Sequence, residues 1–396
     1  MSTQTTAQVL LGERPIGVLT MRAGRVTFQY TDRGLDRPVL GLAYEYNPRK
    51  RETAPGGQLP PWFANLLPER ESGLRRLITA QLGLKSVADF SLLVHLGQDL
   101  PGAVRVVCEA PGLQDSETER AWRRPDARKM SFSLAGMQVK LSMVRTTDKF
   151  LYEGTGGDWI VKFPSDRHDL LPENEHAMMT WLAMSGIAVP PHELVPADSL
   201  VDIPDGLIRP GERAFAIQRF DRRAGGRIHQ EDFAQIFGLL PQEKDRGRAE
   251  HVGAVIQREC PDDLEEYVRR LTACVLIGNT DEHLKNWSLR YPDGRTRRLS
   301  PAYDFVSVTS YETFRRDVLT LPVGEQNDTS FITLDHFRRF AETVGADEEK
   351  VTAAVSATAE AMASSWSSVL RECPVPPFVA DHVGARLRTV PLLNAG

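Results

Sequence analysis

The sequence predicts a two-lobed α+β protein, and three observations carry that prediction. The first half of the chain reads mostly as short alternating strands separated by glycine turns. From about residue 230 onward the hydrophobic period is that of helices. The chain has 396 residues, more than one core usually serves, since single cores stop growing at about 250–300 residues.

Each element follows from its local pattern. QVLLGERPIGVLTMRAGRVTFQYT, from residue 8, alternates apolar and polar residues around turns at Gly12–Pro15 and Ala23–Gly24, which is an antiparallel β pattern. Helical spacing follows at 65–83 and 87–97. Residues 111–129 open with Pro-Gly, are almost all polar or charged, and read as a linker or exposed excursion. Three β pieces come next, MSFSLAG, QVKLSMVR and DWIVKFP, with Gly154, Gly156 and Gly157 in the turn before the last. ENEHAMMTWLAMSGI (173–187) is an amphipathic helix with a glycine stop. HELVPA (192–197) and AFAIQRF (214–220) are strands, and the remainder is expected to be helical. The expected division is 1–110, a β-rich unit with helices; 111–129, the linker; 130–225, a mixed lobe; and 226–396, an all-helical lobe.

Composition excludes several classes. The 48 Lys+Arg against 53 Asp+Glu give a net charge of −5, which argues against coating nucleic acid by charge alone. The longest apolar string, LTACVLIG at 271–278, is far short of the ~20 residues a bilayer span needs. Cys108, Cys260, Cys274 and Cys373 are scattered, so neither a disulfide framework nor a zinc site is expected. With no secretory pattern at the N-terminus, a soluble cytoplasmic protein is expected.

The string richest in chemistry is GNTDEHLKNWSL (278–289), directly after an apolar helix. Asp281 and Asn286 reproduce the D-x-x-x-x-N spacing of a kinase catalytic loop, in which the Asp orients the acceptor hydroxyl and the Asn holds a metal ion. His283 and Lys285 then fall near the phosphates. The plain alternative is a solvated turn at a helix C-terminus. Asp304, flanked by apolar residues in SPAYDFVSV (300–308), follows where a metal-binding Asp belongs, and Mg²⁺ needs only one or two carboxylates beside phosphate oxygens and water. Lys162 in DWIVKFP sits on an apolar strand as a phosphate-pairing lysine does; a snorkelling edge-strand lysine is the alternative. Glu175, in the next helix, is placed to hold Lys162 or to sit exposed in the favourable first turn. SFSLAGMQVKLS (131–142) occupies the position of a phosphate-covering loop whose backbone N–H groups can cradle an anion.

Taken in order, SLAGMQVK, VKFP, NE, QRFDR, HQEDFAQ, NTDEHLKN and AYDF resemble the HipA family of serine/threonine kinase toxins, over nearly the whole chain. The resemblance implies a two-lobed protein-kinase-like fold with ATP and Mg²⁺ as cofactors. Asp281 would be the catalytic base, and Asn286 and Asp304 the Mg²⁺ ligands. The loop Ala135, Gly136, Met137, Gln138, Val139 and Lys140 would hold ATP, together with Lys162, the hinge Gln218, Arg219 and Phe220, and His283, Leu284, Lys285, Asn286, Tyr303 and Asp304. Ser133 stands where the family carries its autophosphorylated serine. There are two departures, Gln218 where the family commonly has Glu and Val139 where a Glu is usual.

The resemblance further implies a small HipB-type helix-turn-helix antitoxin as partner, operator DNA reached mainly through that antitoxin, and an aminoacyl-tRNA synthetase as protein substrate. Arg49-Lys50-Arg51 and Arg295, Arg297 and Arg298 are candidate basic spots, with solvated surface as the alternative. Two other readings stay open: a small-molecule kinase, and a non-enzymatic co-repressor scaffold that binds the antitoxin.

Overall fold

A computed structural model describes residues 4–32, 34, 36–46, 52–54, 56, 58–81, 87–108, 138–152 and 156–393. The linker at 111–129, the MSFSLAG strand with Ser133, Ala135, Gly136 and Met137, and the basic triplet 49–51 lie outside the described residues.

The N-terminal unit is a five-stranded antiparallel sheet in the order β4-β3-β2-β1-β5. Its strands are β1 (Gln4–Leu11), β2 (Arg14–Arg22), β3 (Arg25–Tyr30), β4 (Glu52–Ala54) and β5 (Val104–Val107). In β1 every second residue is buried, so Ala7, Val9 and Leu11 face the core while Thr6 and Gln8 face out. Ala23 and Gly24 both have positive φ (48° and 71°), the geometry a two-residue hairpin between β2 and β3 requires. The short helices α1 (Leu42–Glu45) and α2 (Pro61–Ala64), with α3 (Gly73–Gln81) and α4 (Asp89–Leu96), close this core around Phe28, Phe63 and Phe90. Of the single helix expected over 65–83, only Gly73–Gln81 is helical; residues 65–72, with Pro68 among them, form turns after α2.

The second sheet has six strands in the order β10-β7-β6-β8-β11-β9. They are β6 (Lys140–Arg145), β7 (Phe150–Leu151), β8 (Trp159–Lys162), β9 (His192–Pro196), β10 (Leu200–Val201) and β11 (Arg213–Gln218). One face packs Val139, Leu141, Met143, Trp159, Val161 and Phe163 into its own small core. On the other face, Phe215 and Ile217 join the core of the second lobe beneath helix α5 (Leu171–Met184). Trp181 of α5 donates from Nε1 to the Met362 carbonyl at 2.9 Å, which fastens this helix to the C-terminal lobe.

That lobe contains α6 (Phe233–Phe237), α7 (Ala249–Glu259), α8 (Leu264–Ile277), α9 (Leu334–Val344), α10 (Glu348–Glu372) and α11 (Pro377–Thr389). Helix α8 keeps Glu265, Glu266 and Arg269 toward solvent in its first half, and its second half, Leu271–Ile277, is buried on every side. One expectation is corrected here, because the lobe is not all helix. A two-stranded ribbon, β12 (Arg222–Arg223) with β13 (Gly226–Arg227), leads into it. Inside it, β14 (His229–Asp232), β15 (Ser288–Tyr291) and β16 (Arg298–Leu299) form an antiparallel sheet. Strands of two to four residues carry too little alternation to read, and the one local signal was the Pro292-Asp293-Gly294 turn between β15 and β16. Among the described residues, no helix is long and apolar enough to cross a membrane.

Candidate active site

Lys162 sits on β8, an interior strand flanked by β6 and β11, so the edge-strand alternative fails. Its neighbours Val161 and Phe163 point into the outer core, which turns Lys162 to the inner face, where it is 5% exposed. Buried ammonium groups need partners. Lys162 has two: Glu175 Oε1 at 2.5 Å, and a carboxylate oxygen of Asp304. Glu175 is 1% exposed, so it is not a surface residue favoured only by the helix dipole. Its neighbour Asn174 also bonds across the cleft, receiving the Ser307 N–H at 3.0 Å and donating to the Ser307 carbonyl at 3.2 Å. The NE pair at the start of α5 therefore grips both the sheet lysine and the segment that carries Asp304. Asp304 itself holds a left-handed backbone conformation, φ 66°, which aims its side chain into the cleft.

Electrostatics follow from this packing. Burial works against the charged form of Asp304, but Lys162 and Lys140 outweigh it and hold its carboxyl far below the ordinary range. Burial likewise works against the Lys162 ammonium, and Asp304 and Glu175 raise it above its usual value. For Glu175 burial wins, and its pKa rises to about 7 despite Lys162. Lys140 lies directly opposite Lys162 in the β6–β8 register; the protein around its ammonium and then Lys162 lower its pKa, while Asp304 raises it, although the residue as a whole is exposed.

The D-x-x-x-x-N loop is built by the end of α8. Gly278 terminates the helix with φ 72°, and a Cβ there would lie 2.0 Å from Thr309 Oγ1, so only glycine fits. The Asp281 carbonyl receives the His283 N–H at 2.9 Å and Asn286 Nδ2 at 3.2 Å, which closes the loop onto itself. Thr320 braces it from outside, through N–H and hydroxyl bonds to the Thr280 carbonyl at 3.0 and 2.8 Å. The Asp281 carboxylate is exposed and makes no hydrogen bond among the described residues. The protein around it pushes its pKa up to about 6, with Lys244 pulling down and Asp304 pushing up. Glu282, by contrast, turns into the core and takes the Asn279 amide at 2.8 Å; burial keeps its carboxyl well above the ordinary range. His283 is 8% exposed, and burial lowers its pKa to about 4.

At the other end of the cleft the rings of Phe220 and Tyr303 lie 5.5 Å apart, tilted by 33°. The Tyr303 hydroxyl is fixed by Ser288 Oγ at 2.6 Å and donates to the Lys285 carbonyl at 3.0 Å. In the expected hinge, the Gln218 N–H is bonded to the Pro191 carbonyl and the Arg219 N–H to that of Asp158, both at 2.8 Å. A purine edge can draw on neither amide without breaking a bond of the fold.

Lys162, Lys140 and Asp304 thus share one cleft with Asp281, His283 and Asn286, and with Phe220 and Tyr303 at its far end. Four expected members stand apart. The Arg219 guanidinium is tied to Asp221 and Ser142 at 3.0 Å and to Asp99 at 3.5 Å. The Leu284 side chain is wholly buried in the core. The Lys285 ammonium is turned to Asn65 and Asp232. Val139 faces the outer core, so the departure from glutamate there adds to packing rather than removing a charge from the cleft. Gln138, at the edge of the described residues, keeps its Nε2 buried with no partner among them. Arg295, Arg297 and Arg298 are engaged by the Arg37 carbonyl, Glu259 and Asp263, which favours the solvated-surface alternative. Asn65 and Lys244 were missed, because nothing local in the sequence marks them, and Asp232 was quoted only within HQEDFAQ, with no role assigned to it.

A lysine clamped by two acidic groups on the inner face of a sheet, opposite an Asp-to-Asn loop at the end of a buried helix, defines a kinase-like protein. Residues 132–366 match the family model for the HipA-like C-terminal domain, and residues 7–107 that for the HipA N-terminal domain. The chain belongs to the HipA family. It is 37% identical to a Sinorhizobium fredii protein named "Putative kinase Y4dM", over 98% of both chains, and 28% identical to a second one, "Putative kinase Y4mE", over 96% of this chain and 97% of that one. The fold is shared with HipA of Shewanella oneidensis MR-1, seen in a complex with HipB and its operator DNA. The TM-score is 0.72 over 98% of this chain and 96% of that one, at 21% identity.

Proposed function

We propose that this chain is an ATP- and Mg²⁺-dependent serine/threonine protein kinase, the toxin of a HipA/HipB-type toxin–antitoxin pair. The observation that carries the reading is the convergence of Lys162, Glu175 and Asp304 with the loop from Asp281 to Asn286. In phosphoryl transfer the protein supplies position and charge more than bond chemistry. Asp281 is open to the cleft, and a pKa of about 6 leaves it ionised at neutral pH, so it can orient an acceptor hydroxyl and take its proton. Lys162 offers a fixed positive charge to a phosphate, with Glu175 holding it at 2.5 Å. Lys140 brings a second cation to the same face. Phe220 and Tyr303 offer apolar surface for a purine ring.

Asp304 spends one carboxylate oxygen on Lys162, and Asn286 uses its Nδ2 on the Asp281 carbonyl, which leaves an oxygen on each with no bond among the described residues. That pair of hard oxygen donors fits Mg²⁺, which takes its remaining ligands from phosphate and water. When bound, the ion would neutralise charge on the phosphates of ATP.

The antitoxin would be a small HipB-type helix-turn-helix protein that holds the operator, and the substrate an aminoacyl-tRNA synthetase in the cytoplasm. Ser133 is the proposed autophosphorylation site. The test is to incubate the purified protein with Mg²⁺ and ATP and to map phosphate by peptide mass spectrometry, with Asp281→Asn alongside. Phosphate on Ser133 in wild type alone, at equal ATP affinity, is expected. Equal labelling of Asp281→Asn removes Asp281 as the base, and ATP binding with no phosphate on either protein turns the reading to the small-molecule kinase or the co-repressor scaffold.

A further inference from the structure

Lys285 lies inside the candidate catalytic loop, yet its ammonium is held by another part of the molecule. An ammonium has three donors, and all three have partners at 3.0 Å: the Asn65 carbonyl, Asn65 Oδ1 and Asp232 Oδ2. Asn65 belongs to the N-terminal unit, at the end of α2, and is 6% exposed. Its own Nδ2 donates to the carbonyls of Pro61 at 2.9 Å and Leu239 at 2.8 Å, so the side-chain amide is fixed with its oxygen toward Lys285. Helix α2 is in turn anchored to the HQEDFAQ segment. Trp62 Nε1 donates to Glu231 Oε2 at 3.1 Å, and the Trp62 carbonyl receives Gln235 Nε2 at 2.9 Å.

A second tie runs parallel to the first. Glu69 of the N-terminal unit pairs with Lys244 at 3.1 Å, and the Lys244 carbonyl receives the Leu284 N–H at 3.1 Å. The loop from Asp281 to Asn286 is therefore held at Leu284 and Lys285, just after His283, by two ties that lead back to the N-terminal unit. The HQEDFAQ segment supplies Asp232, Glu231 and Gln235 to this joint.

We propose that the N-terminal unit is a working part of the active site, with Asn65 acting through Lys285 as a positioning residue for the Asp281–Asn286 loop. The inference rests on the phosphoryl-transfer reading of that loop. It differs from a phosphate-binding role for Lys285 in a measurable way: a phosphate ligand sets nucleotide affinity, whereas a clamp sets the rate of the chemical step. Displacing reacting groups by about 1 Å can cost on the order of 100-fold in rate.

The test uses the full-length protein with Asn65→Ala, Lys285→Met and the double variant. Four quantities are read: kcat for phosphate transfer, ATP affinity by calorimetry, hydrogen exchange of the amides at 281–286, and the thermal midpoint. Each single change is expected to lower kcat by about 10- to 100-fold, to leave ATP affinity within about twofold, and to speed exchange in the loop. The double variant should be no slower than the slower single one, because Lys285→Met already removes the Asn65 Oδ1 contact that Asn65→Ala deletes. Loss of ATP affinity in step with kcat for Lys285→Met overturns the proposal, as do losses that multiply in the double variant. If Lys285→Met fails to fold, Asn65→Ala carries the test alone, since it leaves Lys285 the Asn65 carbonyl and Asp232. A wild type with no transfer activity overturns the kinase reading instead. Loop exchange then decides the clamp by itself, and an unchanged rate in Asn65→Ala overturns it.

Discussion

Asp281 and Asp304 are both carboxylates of one cleft, but their surroundings push them in opposite directions. Asp281 has no cation bonded to it, and the protein mass around it raises its pKa to about 6. Asp304 is as crowded but carries Lys162 on one oxygen, with Lys140 beyond, and is held fully ionised. Groups driven apart in this way divide the chemistry between them: one can exchange a proton near neutrality, while the other stays a permanent anion for a cation to meet. The pH dependence has a definite sign. A base must be ionised to work, so activity is present above pH 6 and lost as pH falls through it. We expect kcat/KM to decline about tenfold per pH unit below roughly 6, an effect absent from any residual activity of Asp281→Asn. A wild-type profile flat down to pH 4.5 would show that Asp281 takes no proton in the rate-limiting step.

At the scale of elements, the loop is only as well placed as the helix that ends on it. The apolar run of α8 and its glycine stop were legible in the sequence because both are local signals: a hydrophobic window and a residue at the stop. The spacing of Asp281 and Asn286 was legible for the same reason. What could not be read was β14–β16, whose pairing joins residues up to 62 apart through strands of at most four residues. Nor could the contact of Lys285 with Asn65 be read, because it spans 220 residues. Non-local contacts leave no periodic trace. Gly278 is where the local and the non-local meet, since its φ of 72° ends the helix while Thr309 fills the space a Cβ would need. Gly278→Ala should therefore lose stability by about 1–3 kcal/mol from backbone conformation alone, with further loss from the contact with Thr309. A fall in the urea midpoint with an unchanged denaturant slope would report it. A variant as stable as wild type would mean that the turn relaxes, and the Asp281 loop with it.

At the scale of the whole molecule, two further joints of different character attach the N-terminal unit beside the Asn65–Lys285 and Glu69–Lys244 ties. One is ionic. Asp99 meets Arg222 at 2.8 Å and Arg219 at 3.5 Å, and the Gly102 N–H donates to Asp221 at 2.7 Å, so the unit grips the segment from Arg219 to Arg222. The other centres on Glu231, a wholly buried carboxyl with no cation bonded to it among the described residues. It takes the Leu42 N–H at 2.9 Å, the Tyr291 hydroxyl at 2.5 Å and Trp62 Nε1 at 3.1 Å. Burial lifts its pKa from an ordinary 4.5 to about 7, although these three donors pull the other way. Between those values the folded chain binds a proton that the unfolded chain does not. The stabilisation is therefore complete below about pH 4.5 and is lost as pH rises through 7. Glu231→Gln keeps the shape of the side chain and removes the titration, at the expense of setting an N–H group against one of the three donors. The gap between wild-type and Glu231→Gln stability should accordingly be widest near pH 5 and narrow by up to about 3 kcal/mol by pH 8. Thermal midpoints of the two proteins across that range measure it. Other buried groups titrate alike in both proteins and cancel in the difference, so parallel curves would mean that Glu231 is already ionised at pH 5. In that case the three donors, rather than burial, set its charge, and the joint would hold the N-terminal unit equally well at every pH.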